Sequence, residues 1–135
     1  MRISGLDKIL IDTSVWIEFF KKQEPFFGAV QNLIEEDNAC CVGLIYAELL
    51  QGAKSEKELS TIKEFIHIFD FVPESDAIWE KAGLLSQTLR RKGKSIGLAD
   101  CFIAASAASY GAGLFTLDKH FSTIQKSMDL TLFTP

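Results

Sequence analysis

Four carboxylates are placed where chemistry could use them together. Asp12 closes the short apolar run Ile9, Leu10, Ile11, and Asp118 follows Leu114 to Thr116 in the same way. Asp100 stands near the start of the Ala- and Ser-rich stretch GLADCFIAASAASY, and Glu48 is the single acid in LIYAELLQGA. Carboxylates gathered within a few ångströms repel and raise one another's pKa unless a divalent cation neutralises them. A donor set of hard oxygens, without sulfur or imidazole, favours Mg²⁺ or Mn²⁺, with water and substrate phosphate completing the shell. Phosphodiester hydrolysis follows: one or two ions, roughly 4 Å apart if two, would activate a water and stabilise the leaving oxygen. Each acid alone also has an ordinary structural role. Asp12, Thr13 or Ser14 could cap the next helix, Asp100 could cap its own, Glu48 could be a solvated helix charge and Asp118 a turn former.

The chain must bring these acids to one place. Ile9 to Ile11 reads as a strand covered on both faces, and in open α/β sheets ligands bind at the carboxyl ends of the strands. Thr13 to Lys22 reads as a helix, followed by a second with Phe26, Val30, Leu33 and Ile34 on one stripe and Pro25 in its opening turn. Ala39 to Val42 is a second strand, leading into the helix of Glu48. Ser55 and Glu58 form a capping box before a helix marked by Leu59, Ile62, Ile66 and Phe69. Phe71 and Val72 are extended and Pro73 stops them. Ser75 opens a long helix to about Lys92, Gly97 to Tyr110 forms a close-packed central helix, and Leu130 to Phe133 reads as a last edge strand. Such alternation predicts a single α/β domain over residues 1–135, with a short parallel sheet and helices on both faces. All four acids then reach one end of that sheet.

Composition narrows the class. The 135 residues are 47% apolar and 24% charged, ordinary for a soluble globular protein. No apolar run approaches the ~20 residues of a membrane span, and the opening residues lack the pattern of a signal peptide, so the expected location is the cytoplasm. Cys40, Cys41 and Cys101 form no Cys-x-x-Cys pair and read as small buried apolar residues. His67 and His120 have no cysteine or second histidine at ligand spacing, which argues against a zinc catalyst. The net charge of −4 does not exclude RNA: four of the 18 acids are site candidates, and the other 14 balance 14 Lys and Arg.

The segments ILIDTSVWIEFF, YAELLQGA, GLADCFIAASAASYGA and LFTLDKHF stand in an order and spacing that resembles the PIN-domain ribonucleases, specifically the VapC-type toxins of toxin-antitoxin pairs. The resemblance covers nearly the whole chain. It implies that the family's acidic quartet falls on Asp12, Glu48, Asp100 and Asp118, its frequent hydroxyl before the last acid on Thr116, and its small polar residue after the first acid on Ser14. It further implies an endoribonuclease needing Mg²⁺ or Mn²⁺, commonly acting on tRNA or ribosomal RNA, silenced by a VapB-type antitoxin and usually a homodimer.

Two further groups bear on partners. Arg90, Arg91, Lys92 and Lys94 could contact RNA phosphates or could be a solvated helix end that suits the helix dipole. Trp16, Phe19, Phe20, Phe26 and Phe27 are too many for one narrow stripe; core packing accounts for most, and part of the set could form a groove for an antitoxin segment. Other classes fit less well. An aspartyl phosphatase would carry an acid at the position of Ser14. A non-hydrolytic phosphoacceptor domain would need an acidic pair near the first strand's end and an Asp after the middle strand, where Phe71, Val72 and Pro73 stand. A silent PIN-like binding module would not need all four acids, and an RNA-processing nuclease without an antitoxin is the nearer alternative.

Overall fold

Three-residue strands with every side chain buried set the architecture. Successive residues of a strand point to opposite faces, so a strand buried at all three positions is covered on both sides. β1 (Ile9–Ile11), β2 (Ala39–Cys41) and β4 (Gly113–Phe115) all meet this description, and β3 (Asp70–Phe71) lies at the edge. The computed structural model describes residues 8–65 and 68–135. The expected core position Ile66 and the histidine His67 lie outside the described residues.

The sheet order is β3-β2-β1-β4, and every pairing is parallel. All four carboxyl ends therefore share one edge. Between the strands run the helices α1 (Thr13–Phe20), α2 (Phe26–Glu35), α3 (Gly43–Gly52), α4 (Glu56–Phe65), α5 (Asp76–Arg91) and α6 (Leu98–Tyr110), and α7 (His120–Gln125) follows β4. This is the α/β fold expected from the alternating pattern.

Local chemistry explains the boundaries. The Ser75 hydroxyl accepts the Ile78 N–H at 3.3 Å to start α5, and the Ser55 hydroxyl accepts the Glu58 N–H at 3.1 Å. The Glu58 carboxylate in turn accepts the Lys54 N–H at 2.7 Å, so the expected capping box closes one residue early. Helix α1 stops short of the expected Lys22, which adopts φ 57° in the left-handed region. Gly111, at φ 70°, ends α6 in the same region, where glycine pays no Cβ penalty.

The expected edge strand at Leu130 to Phe133 is reduced to a single parallel bridge between Leu132 and Leu114. Leu114 N–H donates to the Thr131 carbonyl and Phe133 N–H to the Leu114 carbonyl. The Leu130 carbonyl instead accepts from the Gln125 side chain at 2.8 Å, which turns that end of the segment away from the ladder.

Candidate functional site

At the carboxyl end of β1, Asp12 is 6% exposed and occupies the residue before α1 in an extended conformation. Its side chain makes no capping bond. Instead Oδ2 accepts two hydroxyl hydrogens, from Ser14 at 2.8 Å and from Thr116 at 2.8 Å. Two hydroxyl donors satisfy this buried carboxylate oxygen and fix the side chain at the end of β1. Ser14 and Thr116 are themselves fixed: the Leu117 N–H donates to Ser14 Oγ at 3.0 Å, and the Asp118 N–H to Thr116 Oγ1 at 3.0 Å.

Asp100 enters from the first turn of α6, after Gly97 at the cap position. It does not cap the helix. Its Oδ2 lies 2.8 Å from Nδ1 of His120, and His120 Nδ1 is also 3.5 Å from Asp118 Oδ1. Ligand atoms of Asp100, Asp118 and His120 all fall within 4.8 Å of one another, the one such group among the described residues. Asp118 also serves its local structure, since Oδ1 accepts the His120 N–H at 2.9 Å as α7 begins. Turn former and member of the acidic cluster are here the same residue.

Burial is the main force on Asp100, pushing its carboxyl pKa up; the bond from His120 opposes this, and the charges of Asp118 and Asp12 add to it. His120 is pushed up from its ordinary value, first by its hydrogen bond to Asp100 and then by the charge of Asp118. Two carboxylates and an imidazole crowded in this way suit a divalent cation, which supplies the positive charge the acids lack.

Glu48 stands apart from that trio. It is half-buried on α3, and Oε1 accepts the hydroxyl hydrogen of Thr13 at 2.6 Å. Thr13 is the first residue of α1, so Glu48 is joined to the residue next to Asp12. The solvated helix charge is therefore replaced by a fixed one.

The two residues missed at the sequence level are Thr13 and His120. The signal for His120 was its place two residues after Asp118, in DKH; a ligand pattern built on sulfur and second histidines passes over a carboxylate partner distant in sequence.

The basic cluster is exposed and lies beside the entry to α6. Arg90 and Arg91 form the last turn of α5, Lys92 caps it and donates to Ser127 Oγ at 3.2 Å, and Lys94 follows Gly93. Ser86, Gln87 and Arg90 face residues 95–98 across a cleft of about 370 Å³.

The aromatic set divides. Trp16 is 2% exposed and packs with Phe19, Phe20, Phe65 and Phe69 at centroid distances of 5.1 to 6.0 Å. Phe27 stacks on Phe19, whereas Phe26 turns to Phe115. Ile17, Phe20 and Ile68 are the exposed apolar residues of this region, at 44, 36 and 51%. Cys40 and Cys41 are buried, with thiol pKa values pushed up to about 12 by burial, as small core residues would be.

The PIN domain family model matches residues 9–127. Ribonuclease VapC11 of Mycobacterium tuberculosis is 30% identical over 127 residues, covering 90% of this chain and 95% of that protein. Ribonuclease VapC1 of Methanocaldococcus jannaschii is 29% identical over 121 residues, covering 88% and 82%. A chain of the VapBC2 structure from Rickettsia felis, bound to a DNA fragment from its promoter, superposes with a TM-score of 0.76 at 23% identity, covering 93% of this chain and 96% of that one. Mycobacterium tuberculosis VapC20, a sarcin-ricin loop cleaving toxin, superposes at 0.66 with 16% identity over 95% and 100%. The buried Asp12, the acidic group at the entries to α6 and α7 and the parallel sheet that positions them thus occur in a chain that belongs to the PIN-domain family and, within it, to the VapC ribonucleases.

Proposed function

We propose that this protein is a metal-dependent endoribonuclease acting as the toxin of a toxin-antitoxin pair, on tRNA or ribosomal RNA in the cytoplasm. The observation that carries this reading is the convergence of Asp100 and Asp118 from separate elements within 4.8 Å at the edge where Asp12 ends β1. Asp100 and Asp118 would hold Mg²⁺ or Mn²⁺, with Asp12 and Glu48 completing the acidic wall. A bound ion would supply a Lewis acid for the phosphate and would lower the pKa of a water so that, on losing a proton, it can attack.

The chain's own residues do the rest. Ser14 and Thr116 keep Asp12 oriented by donating to one of its oxygens. Thr13 holds Glu48 against the start of α1. Arg90, Arg91, Lys92 and Lys94 would attract the RNA backbone, supplying affinity without base specificity.

A VapB-type antitoxin is the proposed partner, seated against the exposed edge of Ile17, Phe20 and Ile68 beside the aromatic cluster, with a homodimer as the working assembly. The test is cleavage of total cellular RNA by purified protein after chelation and metal replacement, beside Asp100→Asn. Cleavage that returns with Mn²⁺ or Mg²⁺ in the wild type alone supports the reading. Equal cleavage by the folded variant, or by chelated protein, overturns it.

A further inference from the structure

The imidazole of His120 is the one donor at the acidic centre that an all-oxygen site would not contain. Its Nδ1 faces the carboxylates, 2.8 Å from Asp100 Oδ2 and 3.5 Å from Asp118 Oδ1. Two adjacent ligands of one six-coordinate ion, each about 2.1 Å from it, stand about 3 Å apart. Both separations therefore approximate the edge of a coordination shell. The Asp118 carboxylate is held by the backbone N–H of His120 itself, so acid and imidazole are anchored together at the start of α7. The His120 side chain is 54% exposed, which leaves room for the ring to adjust as an ion enters.

We propose that His120 Nδ1 is a metal ligand alongside Asp100 and Asp118, and that it biases the centre toward a transition ion such as Mn²⁺ over Mg²⁺. The inference rests on the metal-dependent reading above and adds the choice of ion. Mg²⁺ prefers oxygen donors and sheds water reluctantly, whereas imidazole donors suit first-row transition ions. Removing the ring should then cost affinity for one ion and spare the other. A residue that only positioned Asp100 by a hydrogen bond would change both alike.

The experiment measures Mn²⁺ binding by the loss of its free paramagnetic resonance signal, with Mg²⁺ as competitor, in wild type, His120→Asn and Asp100→Asn. Asparagine keeps a hydrogen-bonding group near Asp100 but removes the ring. Pulsed resonance of the Mn²⁺-loaded protein then reads nitrogen hyperfine modulation from a coordinated imidazole. The expected result is nitrogen modulation in the wild type, its loss in His120→Asn, and a fall in Mn²⁺ affinity of about tenfold or more with Mg²⁺ affinity nearly unchanged. Absence of modulation in the wild type, or a parallel loss of both ions in His120→Asn, overturns the role of His120. If Asp100→Asn alone abolishes binding in that case, the acidic centre still stands. Mn²⁺ binding untouched by Asp100→Asn overturns the acidic centre as well.

Discussion

Thr116 donates its hydroxyl hydrogen to Asp12 Oδ2 at 2.8 Å while the same oxygen accepts the Asp118 N–H at 3.0 Å. One hydroxyl thus ties the acid of β1 to the acid after β4, and its removal should disturb both. Thr116→Val leaves the Asp118 N–H without this acceptor and Asp12 with one donor fewer. We expect a stability loss of about 1–2 kcal/mol and RNA cleavage reduced about tenfold or more. Thr116→Ser should restore most of both. Denaturant titration and cleavage assays on the two variants check this, and an inert Thr116→Val would deny the hydroxyl its linking role.

Asp100→Asn should abolish cleavage and leave the metal-free protein folded. Burial already disfavours the charged carboxyl, so its neutral counterpart should slightly stabilise the metal-free state, an effect that solvent screening of this partly exposed group keeps small. Thermal melts in the presence of chelator read the sign directly.

The stability of metal-free protein should fall as pH rises. The His120 pKa is raised above 6.5 in the folded state, so its contribution is complete below 6.5 and lost as pH climbs through the raised value. Asp100 acts with the same sign: its pKa is raised above 3.8, and the unfolded chain releases that proton first. In both windows the native state binds more protons, which makes the slope negative. Chemical denaturation at about pH 6 and about pH 8 should show the loss, and His120→Asn should flatten it.

Replacing Arg90, Arg91 and Lys94 with Gln should weaken RNA binding and reduce its salt slope by about 0.7 for each single-strand phosphate that is no longer neutralised. The cut position should stay the same, because phosphate contacts carry no base information. An unchanged slope would return the cluster to the role of a solvated helix end.

Phe20→Ser should weaken binding of the proposed antitoxin about tenfold or more while sparing RNA cleavage, since Phe20 is partly exposed and packs on Trp16. Calorimetry with a peptide from that partner measures the first effect. Retained affinity in the folded variant would move the docking surface elsewhere.

The strand-end position of Asp12 was legible because ILI is a short β-branched and aliphatic run that suits a strand covered on both faces, and a parallel sheet brings the carboxyl ends of all such strands to one edge. The helix caps at Ser55 and Ser75 were legible for a similar reason, as local rules acting within three residues. His120 was not, because its partner Asp100 is 20 residues away and only the packing of α6 and α7 joins them. The end of the chain failed differently: its apolar residues suit a strand, but the Gln125 side chain takes the Leu130 carbonyl and leaves one bridge. Glu48 stands out as the lone acid among apolar residues, yet its bond to Thr13 depends on the contact of α1 with α3, which no local pattern reveals.

Cys40, Cys41 and Cys101 are buried, and burial raises the pKa of all three thiols. Since the thiolate is the reactive form, these positions are silent toward alkylating reagents while the fold is intact. A single cysteine introduced on the exposed face of α5 would therefore take up a fluorophore without prior removal of the native three. Reporter dyes for partner docking can be placed one at a time on an otherwise unlabelled protein, and delayed labelling of the native thiols would time its unfolding.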